Sequence, residues 1–282
     1  MKVSFHGVRG FLPVPGDDTV IYGGNTLCMS ITADSGALIA IDAGTGISAW
    51  SRTLLGGDLG RGRGNVDIII THSHYDHTQG FLFFIPALIP GNSLRIYGPV
   101  CSGKDIRQML EDQVHPLVSP MQTLSNFAST MAFHTIETRE ELKLHDISFR
   151  FLPLKHETEN SLAVVFSDGK TRAGCISDVF HNPHSITSAS EFFAGCDLLV
   201  HDATDTSVDY ISSKRDFSRD GFTAVEVAGR AQVTKLVLTH FHHSLTDADL
   251  EVMLRRCRSF ALDRGFKNLE IDLARENHSI CF

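Results

Sequence analysis

The sequence lacks clustered cations. Its 25 lysines and arginines are scattered among 33 acidic residues, leaving a formal charge of −8. A polyanion such as RNA is gripped through grouped Lys and Arg contacts to phosphate, so this balance disfavours RNA as a tightly held partner. A small anionic substrate is not excluded. Cysteine is also sparse. Cys28, Cys101, Cys175, Cys196, Cys257 and Cys281 contain no C-x-x-C pair, which argues against a zinc ribbon or a dense disulfide framework and suggests reduced, mostly buried thiols. No apolar run approaches the roughly 20 residues that span a bilayer. The opening MKVSFHGVRG enters a strand pattern without the apolar stretch of a secretory signal. The expected compartment is the cytoplasm, with no membrane partner.

What is present is a regular alternation of short apolar runs and helical stripes. TLCMSITA (26–33) alternates with period two, as a half-buried strand does, whereas ALIAIDA (37–43), VDIIIT (66–71), LAVVFS (162–167), DLLVHDA (197–203) and KLVLTH (235–240) are continuous. Continuous runs indicate central strands covered on both faces. The clearest helix is TDADLEVMLRRCRSFALDRG: Leu250, Met253, Leu254, Cys257 and Ala261 share a face with Phe260 beside them, Thr246 is the N-cap, Asp249 is at the capping-box position and Gly265 marks the end. Weaker helical patterns cover 44–55, 78–85, 103–113, 186–194 and 222–231. GDLGRGRGN (57–65) is a polar loop, and 114–130 is the least regular stretch. With no linker-like segment, the expectation is one layered α/β domain over residues 1–282.

The stretch THSHYDHTQG (71–80) follows the strand-like VDIII directly and packs three histidines and an aspartate into six positions. With 15 histidines in 282 residues, chance would give H-x-H-x-D-H on the order of 10⁻⁵ times per window. Imidazole and carboxylate suit zinc and similar divalent ions, and a loop leaving a strand can turn His72, His74, Asp76 and His77 toward a common point. An extended chain would put His72, His74 and Asp76 on one side, and His77 would join them through a turn at HTQG. A metal site needs further ligands at strand ends. His156 follows ISFRFLPLK, Asp178 ends RAGCIS, and His240 ends KLVLT. His181, His184, His242 and His243 are weaker candidates, while His6, His115, His134, His145 and His278 have no spacing that argues for a role.

The order H-x-H-x-D-H, His, Asp, His resembles the metallo-β-lactamase superfamily along nearly the whole chain. Within it, the sequence is most similar to the ribonuclease Z and cyclic-nucleotide phosphodiesterase branch, since LVHDAT (199–204) resembles that branch's His-Glu-Ala-Thr stretch. The resemblance implies a four-layer αββα sandwich of two mixed β-sheets flanked by helices. It also implies two divalent ions, with zinc expected and manganese or iron as alternatives: His72, His74 and His156 around one, Asp76, His77 and His240 around the other, Asp178 bridging. Water between two such ions is acidified toward neutrality and can attack a phosphodiester. His201, oriented by Asp202, is the candidate acid for the leaving group, and Asp76 also orients the water.

The expected activity is hydrolysis of a small phosphodiester such as a cyclic nucleotide. The second reading is an RNA 3′-processing endonuclease, or a thioester or lactone hydrolase on the same fold. Asp202 is one methylene shorter than the branch's Glu, and no long basic arm for transfer RNA is evident. A homodimer is implied by the resemblance alone. Asn25 reads as a turn residue, Asp42 as either turn or site support, and Arg9, in the Gly/Pro-rich loop 7–18, as a candidate phosphate contact.

Overall fold

The computed structural model describes every residue except 116, 118, 120, 122, 157, 158, 180, 181, 205–216, 218 and 219, and the side chains of 159 and 160. The first half builds β1 (Lys2–Gly7), β2 (Cys28–Thr32), β3 (Leu38–Ile41), β4 (Asn65–Ile69), β5 (Ser93–Gly98) and β6 (Thr130–Thr135). The second builds β7 (Leu142–Leu144), β8 (Ile147–His156), β9 (Glu159–Ser167), β10 (Arg172–Ile176), β11 (Leu198–Asp202), β12 (Lys235–Thr239) and β13 (Glu270–Leu273), and β14 (Ser279–Cys281) returns to pair with β1. The sheets run β14-β1-β2-β3-β4-β5-β6 and β13-β12-β11-β10-β9-β8-β7.

Each sheet is mixed, and the two follow the same plan. Strands β1 to β3 are antiparallel and β3 to β6 parallel. Likewise β7 to β10 are antiparallel and β10 to β13 parallel. The cluster at 72–77 and the later candidates His156, Asp178 and His240 therefore fall in two halves of matching topology.

The period-two rule decides which face each side chain joins. In β3 and β4, Ile39, Ile41 and Ile69 enter the core between the sheets, whereas Ala40, Val66 and Ile68 join a second core with Ile47 and Trp50 of α1 (Gly46–Leu54) and Ile106 and Leu110 of α2 (Ile106–Gln113). Both faces are covered, which is why these runs read as continuously apolar. Helices α3 (Pro183–Phe192), α4 (Phe222–Arg230) and α5 (Asp247–Asp263) cover the other sheet. The arrangement is the expected four-layer sandwich. Helix α5 carries its capping box, with the Asp249 amide donating to Thr246 Oγ1 at 3.2 Å and the Thr246 amide to Asp249 Oδ2 at 2.9 Å. Its Phe260 stacks on Phe222 at 4.3 Å. No helix among the described residues is long and apolar enough to cross a membrane. All six cysteines are free thiols, and five of them are buried.

One expected helix does not form. Residues 78–85 give 3-10 turns at Phe81–Phe83 and Ile85–Leu88 instead of an α-helix. Two of their backbone donors are spent elsewhere, Gly80 N on Ala43 O at 2.9 Å and Ile85 N on Ser51 Oγ at 3.2 Å, and Pro86 has no N–H to continue a ladder.

His6, whose spacing argues for no role in the site, serves the core instead. It is buried, stacks on Trp50 at 5.3 Å and hydrogen-bonds Ser30 Oγ at 2.7 Å. Burial, with a smaller push from Lys2, lowers its pKa from 6.5 to about 4. Between those values the folded protein binds fewer protons than the unfolded chain, so stability falls as pH drops from 6.5 to 4 and levels off below. By linkage the loss is about 3 kcal/mol. Urea-unfolding midpoints of the wild type and His6→Gln should therefore diverge through this window, with the wild type losing more stability; parallel curves would show that His6 does not titrate as described.

Candidate metal centre

Parallel strands present their C-terminal ends along one sheet edge, and β8 runs in the same sense as β10 because both are antiparallel to β9. Asp42 follows β3, His72 to His77 follow β4, His156 ends β8, Asp178 follows β10, Asp202 ends β11 and His240 follows β12. The two sheets therefore deliver these side chains to one rim without any long excursion of the chain.

Two groups of donors form there. One ligand atom each from His72, His74 and His156 lies within 4.8 Å of the others, and the same holds for Asp76, His77, Asp178 and His240. The seven residues that the resemblance names are the ones grouped, with Asp178 falling in the second group. In the first, His156 Nε2 stands 3.1 Å from His74 Nδ1. In the second, Asp178 Oδ2 lies 2.7 Å from His77 Nε2 and 2.9 Å from His240 Nε2, and Asp76 Oδ2 lies 3.1 Å from His240 Nε2. Asp178 Oδ2 also faces the first group, 4.0 Å from His72 Nε2.

Asp76 joins His77 and not His72 and His74, contrary to the extended-chain expectation. The turn comes earlier than HTQG, at the 3-10 turn Tyr75–His77, and it swings both side chains across. That turn is stapled to the loop after β3: Ala43 N donates to His77 O at 2.7 Å, and a Cβ at Gly44 would lie 2.3 Å from Asp76 O. The glycine in IDAGTG is thus required by close approach of two backbones.

Behind the donors, other groups fix ring orientation. Asp42 Oδ2 is 2.8 Å from His77 Nδ1, while Asp42 Oδ1 accepts the Thr71 amide at 2.8 Å. Thr71 Oγ1 meets His72 Nδ1 at 3.2 Å, and Asp202 Oδ1 lies 3.5 Å from His240 Nδ1. With the outer nitrogens engaged, the Nε2 atoms of His72, His77 and His240 turn inward, the arrangement that aims imidazoles at a metal. Burial opposes a charge on His77 and His240, but carboxylates outweigh it and hold both pKa values well above the usual range; Asp76, Asp42 and Asp178 act on His77, Asp178 and Asp202 on His240. His72 is pushed the other way by burial and by His77. Its Nε2 is buried without a hydrogen-bond partner among the described residues. A divalent cation would satisfy that nitrogen and balance the carboxylates in place of imidazole protons, so the residues present fit metal ions.

The proton relay expected from His201 and Asp202 is not what the structure builds. Asp202 and Val200 face the inter-sheet side, where Val200 lines a small cavity with Asp42. Alternation along β11 therefore sends His201 to the helix-covered face. His201 Nδ1 pairs with the main-chain O of Asp202 at 2.8 Å, and burial lowers the His201 pKa. The Asp202 carboxylate instead accepts the Asp178 amide at 2.9 Å and the amide and hydroxyl of Thr204.

Arg9 is likewise not a phosphate contact. It is fully buried, with Nε on Gly23 O at 2.8 Å, Nη1 on Leu245 O at 2.6 Å and Asp247 at 3.5 Å. Asn25 stands away from the donors, its amide and side chain on Glu276 at 2.6 and 2.8 Å. Of the weaker candidates, His184 is exposed on the first turn of α3, and His181 lies outside the described residues. His242 and His243 stack on each other beside Phe11. Sequence reasoning missed Phe11, whose amide donates to Asp76 Oδ2 at 2.7 Å, and Thr71 and Thr204, which adjoin the motifs but carry no periodic signal.

Residues 38–241 match the family described as "Beta-lactamase superfamily domain". No curated protein sequence matches the chain. Among solved structures, the metallo-β-lactamase fold protein YhfI from Bacillus subtilis aligns with TM-score 0.67 and 16% identity over 99% of this chain and 98% of its own. Unliganded yeast PDE1 aligns with TM-score 0.67 and 17% identity over 100% and 99%, and the short form of human tRNase Z with 0.64 and 18% over 100% and 99%. At such identities the likeness is one of fold. Since the family match runs from β3 through β12 and the architecture agrees, the chain belongs to the β-lactamase superfamily and has the metallo-β-lactamase fold of its metal-dependent hydrolases.

Proposed function

We propose that this protein is a phosphodiesterase working with two divalent metal ions, zinc first among those its donors suit, on a small phosphodiester such as a cyclic nucleotide. The observation that carries the reading is the placement of Asp178 Oδ2, 2.7 and 2.9 Å from His77 and His240 in one donor group and 4.0 Å from His72 in the other. One carboxylate facing two adjoining groups suits a pair of ions held close together, as two-metal hydrolysis of phosphate esters requires. His72, His74 and His156 would hold one ion, and Asp76, His77 and His240 the other, with Asp178 shared. When bound, such ions supply Lewis acidity and an acidified water.

The chain's own residues supply position. The Phe11 amide fixes one oxygen of Asp76, which suits Asp76 to orient a water as well as to bind. Asp42 and Asp202 hold the outer faces of His77 and His240. The formal charge of −8 favours a small substrate over a polyanionic one.

Purified protein should carry two metal ions per chain by mass spectrometry of metals and cleave bis-p-nitrophenyl phosphate. His74→Ala and Asp178→Ala should each lower that turnover by roughly 10³ or more with unchanged far-UV circular dichroism. Two-metal protein that cleaves no phosphodiester would end this reading, and a preference for thioesters or lactones in the same assay would move the assignment to that bond; cleavage of precursor RNA alone would move it to RNA processing.

Support of His77 by Asp42 has its own measure. Asp42→Asn keeps a residue that tolerates the left-handed φ of 61° but removes the carboxylate. Chelator competition should show metal affinity lowered about 10- to 100-fold; wild-type affinity would mean that His77 needs no such support.

A further inference from the structure

Phe11 sits in a conformation that a side chain resists. Its φ is 68°, in the left-handed region that glycine enters freely and a bulky residue does not. The loop is held there by the site: a Cβ at Gly10 would lie 2.4 Å from the His240 ring, and the next amide, that of Phe11, reaches Asp76 Oδ2 at 2.7 Å. Any residue could supply that amide, and glycine would supply it with least strain. What phenylalanine adds is its ring, on a residue that is only half-buried. It stands edge-on to the donor His240 at 5.5 Å, against His242 at 5.3 Å and edge-on to His243 at 5.9 Å. His242 and His243 stack at 4.2 Å, and Ser244 Oγ holds His242 Nδ1 at 2.7 Å.

The geometry points to Phe11, with His242 and His243 behind it, as an aromatic wall beside the metal centre that receives the base of a nucleotide whose phosphate is held by the metal ions. This rests on the reading of the site as a phosphodiesterase and names the substrate class within it. A flat, sequence-tolerant ring surface favours stacking with any nucleobase over recognition of one. It also explains why the position holds a strained phenylalanine: the strain is tolerated for a ring that meets substrate.

The test is calorimetric titration of the zinc-loaded full chain with AMP and, separately, with ribose 5-phosphate, which keeps the phosphate and lacks the base. Wild type should bind AMP about tenfold more tightly than ribose 5-phosphate, the scale of one base–aromatic stack. Phe11→Gly should erase that preference by weakening AMP alone, with zinc content unchanged and melting temperature unchanged or raised by relief of the left-handed strain. Phe11→Trp should keep the preference. Equal affinities in the wild type, binding of neither compound, or parallel weakening of both in Phe11→Gly would overturn the proposal. So would a lowered melting temperature with the AMP preference intact, since the ring would then be core packing. Cleavage of bis-p-nitrophenyl phosphate needs no base, so its failure would sink the phosphodiesterase reading separately from this comparison.

Discussion

Buried charge is the constraint on which this molecule turns. Asp42, Asp76, Asp178 and Asp202 and the rings of His72, His77 and His240 are all sequestered from water at one rim of the sandwich. Desolvating so many ionisable groups is tolerable only if each finds an opposite charge or a donor within reach. The structure meets that demand in layers: carboxylates against imidazoles at the centre, then Thr71, Thr204 and the backbone amides of Phe11 and Asp178 around them. A cation of double charge is the natural complement of such a set.

The backbone bears the consequence. Asp42, Asp178 and His240 all take left-handed conformations, with φ of 61°, 51° and 54°. Each lies one or two residues beyond the end of its strand, and each turns there to present its side chain to the centre. Asp42 and Asp178 follow the last antiparallel strands of the two halves, β3 and β10, the first by one residue and the second by two. One supports His77 from outside, and the other stands between the two donor groups. Sparsely populated backbone of this kind persists where surrounding contacts over-determine it.

The donors were legible in the sequence because each stands where a strand-like run stops, and such runs mark strands whose ends gather at one edge. The sandwich itself followed from the alternation of these runs with helical stripes, together with the resemblance. Other features were hidden for physical reasons. An extended reading of H-x-H-x-D-H could not foresee that the turn begins at Tyr75, because the staple lies in Ala43 and Gly44, on the loop after β3. The segment 78–85 has a helical pattern but loses the Gly80 donor to the β3 loop and the Ile85 donor to α1. His201 and Asp202 are adjacent in sequence and therefore point to opposite faces of β11, so their proximity argued for a pair that the pleat forbids. Arg9 sits in a Gly/Pro-rich loop that looks exposed, yet Leu245, Gly23 and Asp247 enclose it.

Each donor group draws on both sheets. His72 and His74 meet His156 across the sandwich, and Asp76 and His77 meet Asp178 and His240, up to 164 positions apart in the chain. During synthesis, the loop 72–77 must therefore emerge with its chelating side chains long before the residues that complete either group. A nascent or denatured chain can already capture metal through that local motif, loosely and with the wrong partners. Metal present too early would stabilise the unfolded ensemble along with the native one and so narrow the gap between them. Because each complete group needs both sheets, ions bound there would favour the closed sandwich by the difference between their affinity for the assembled groups and for this loop alone.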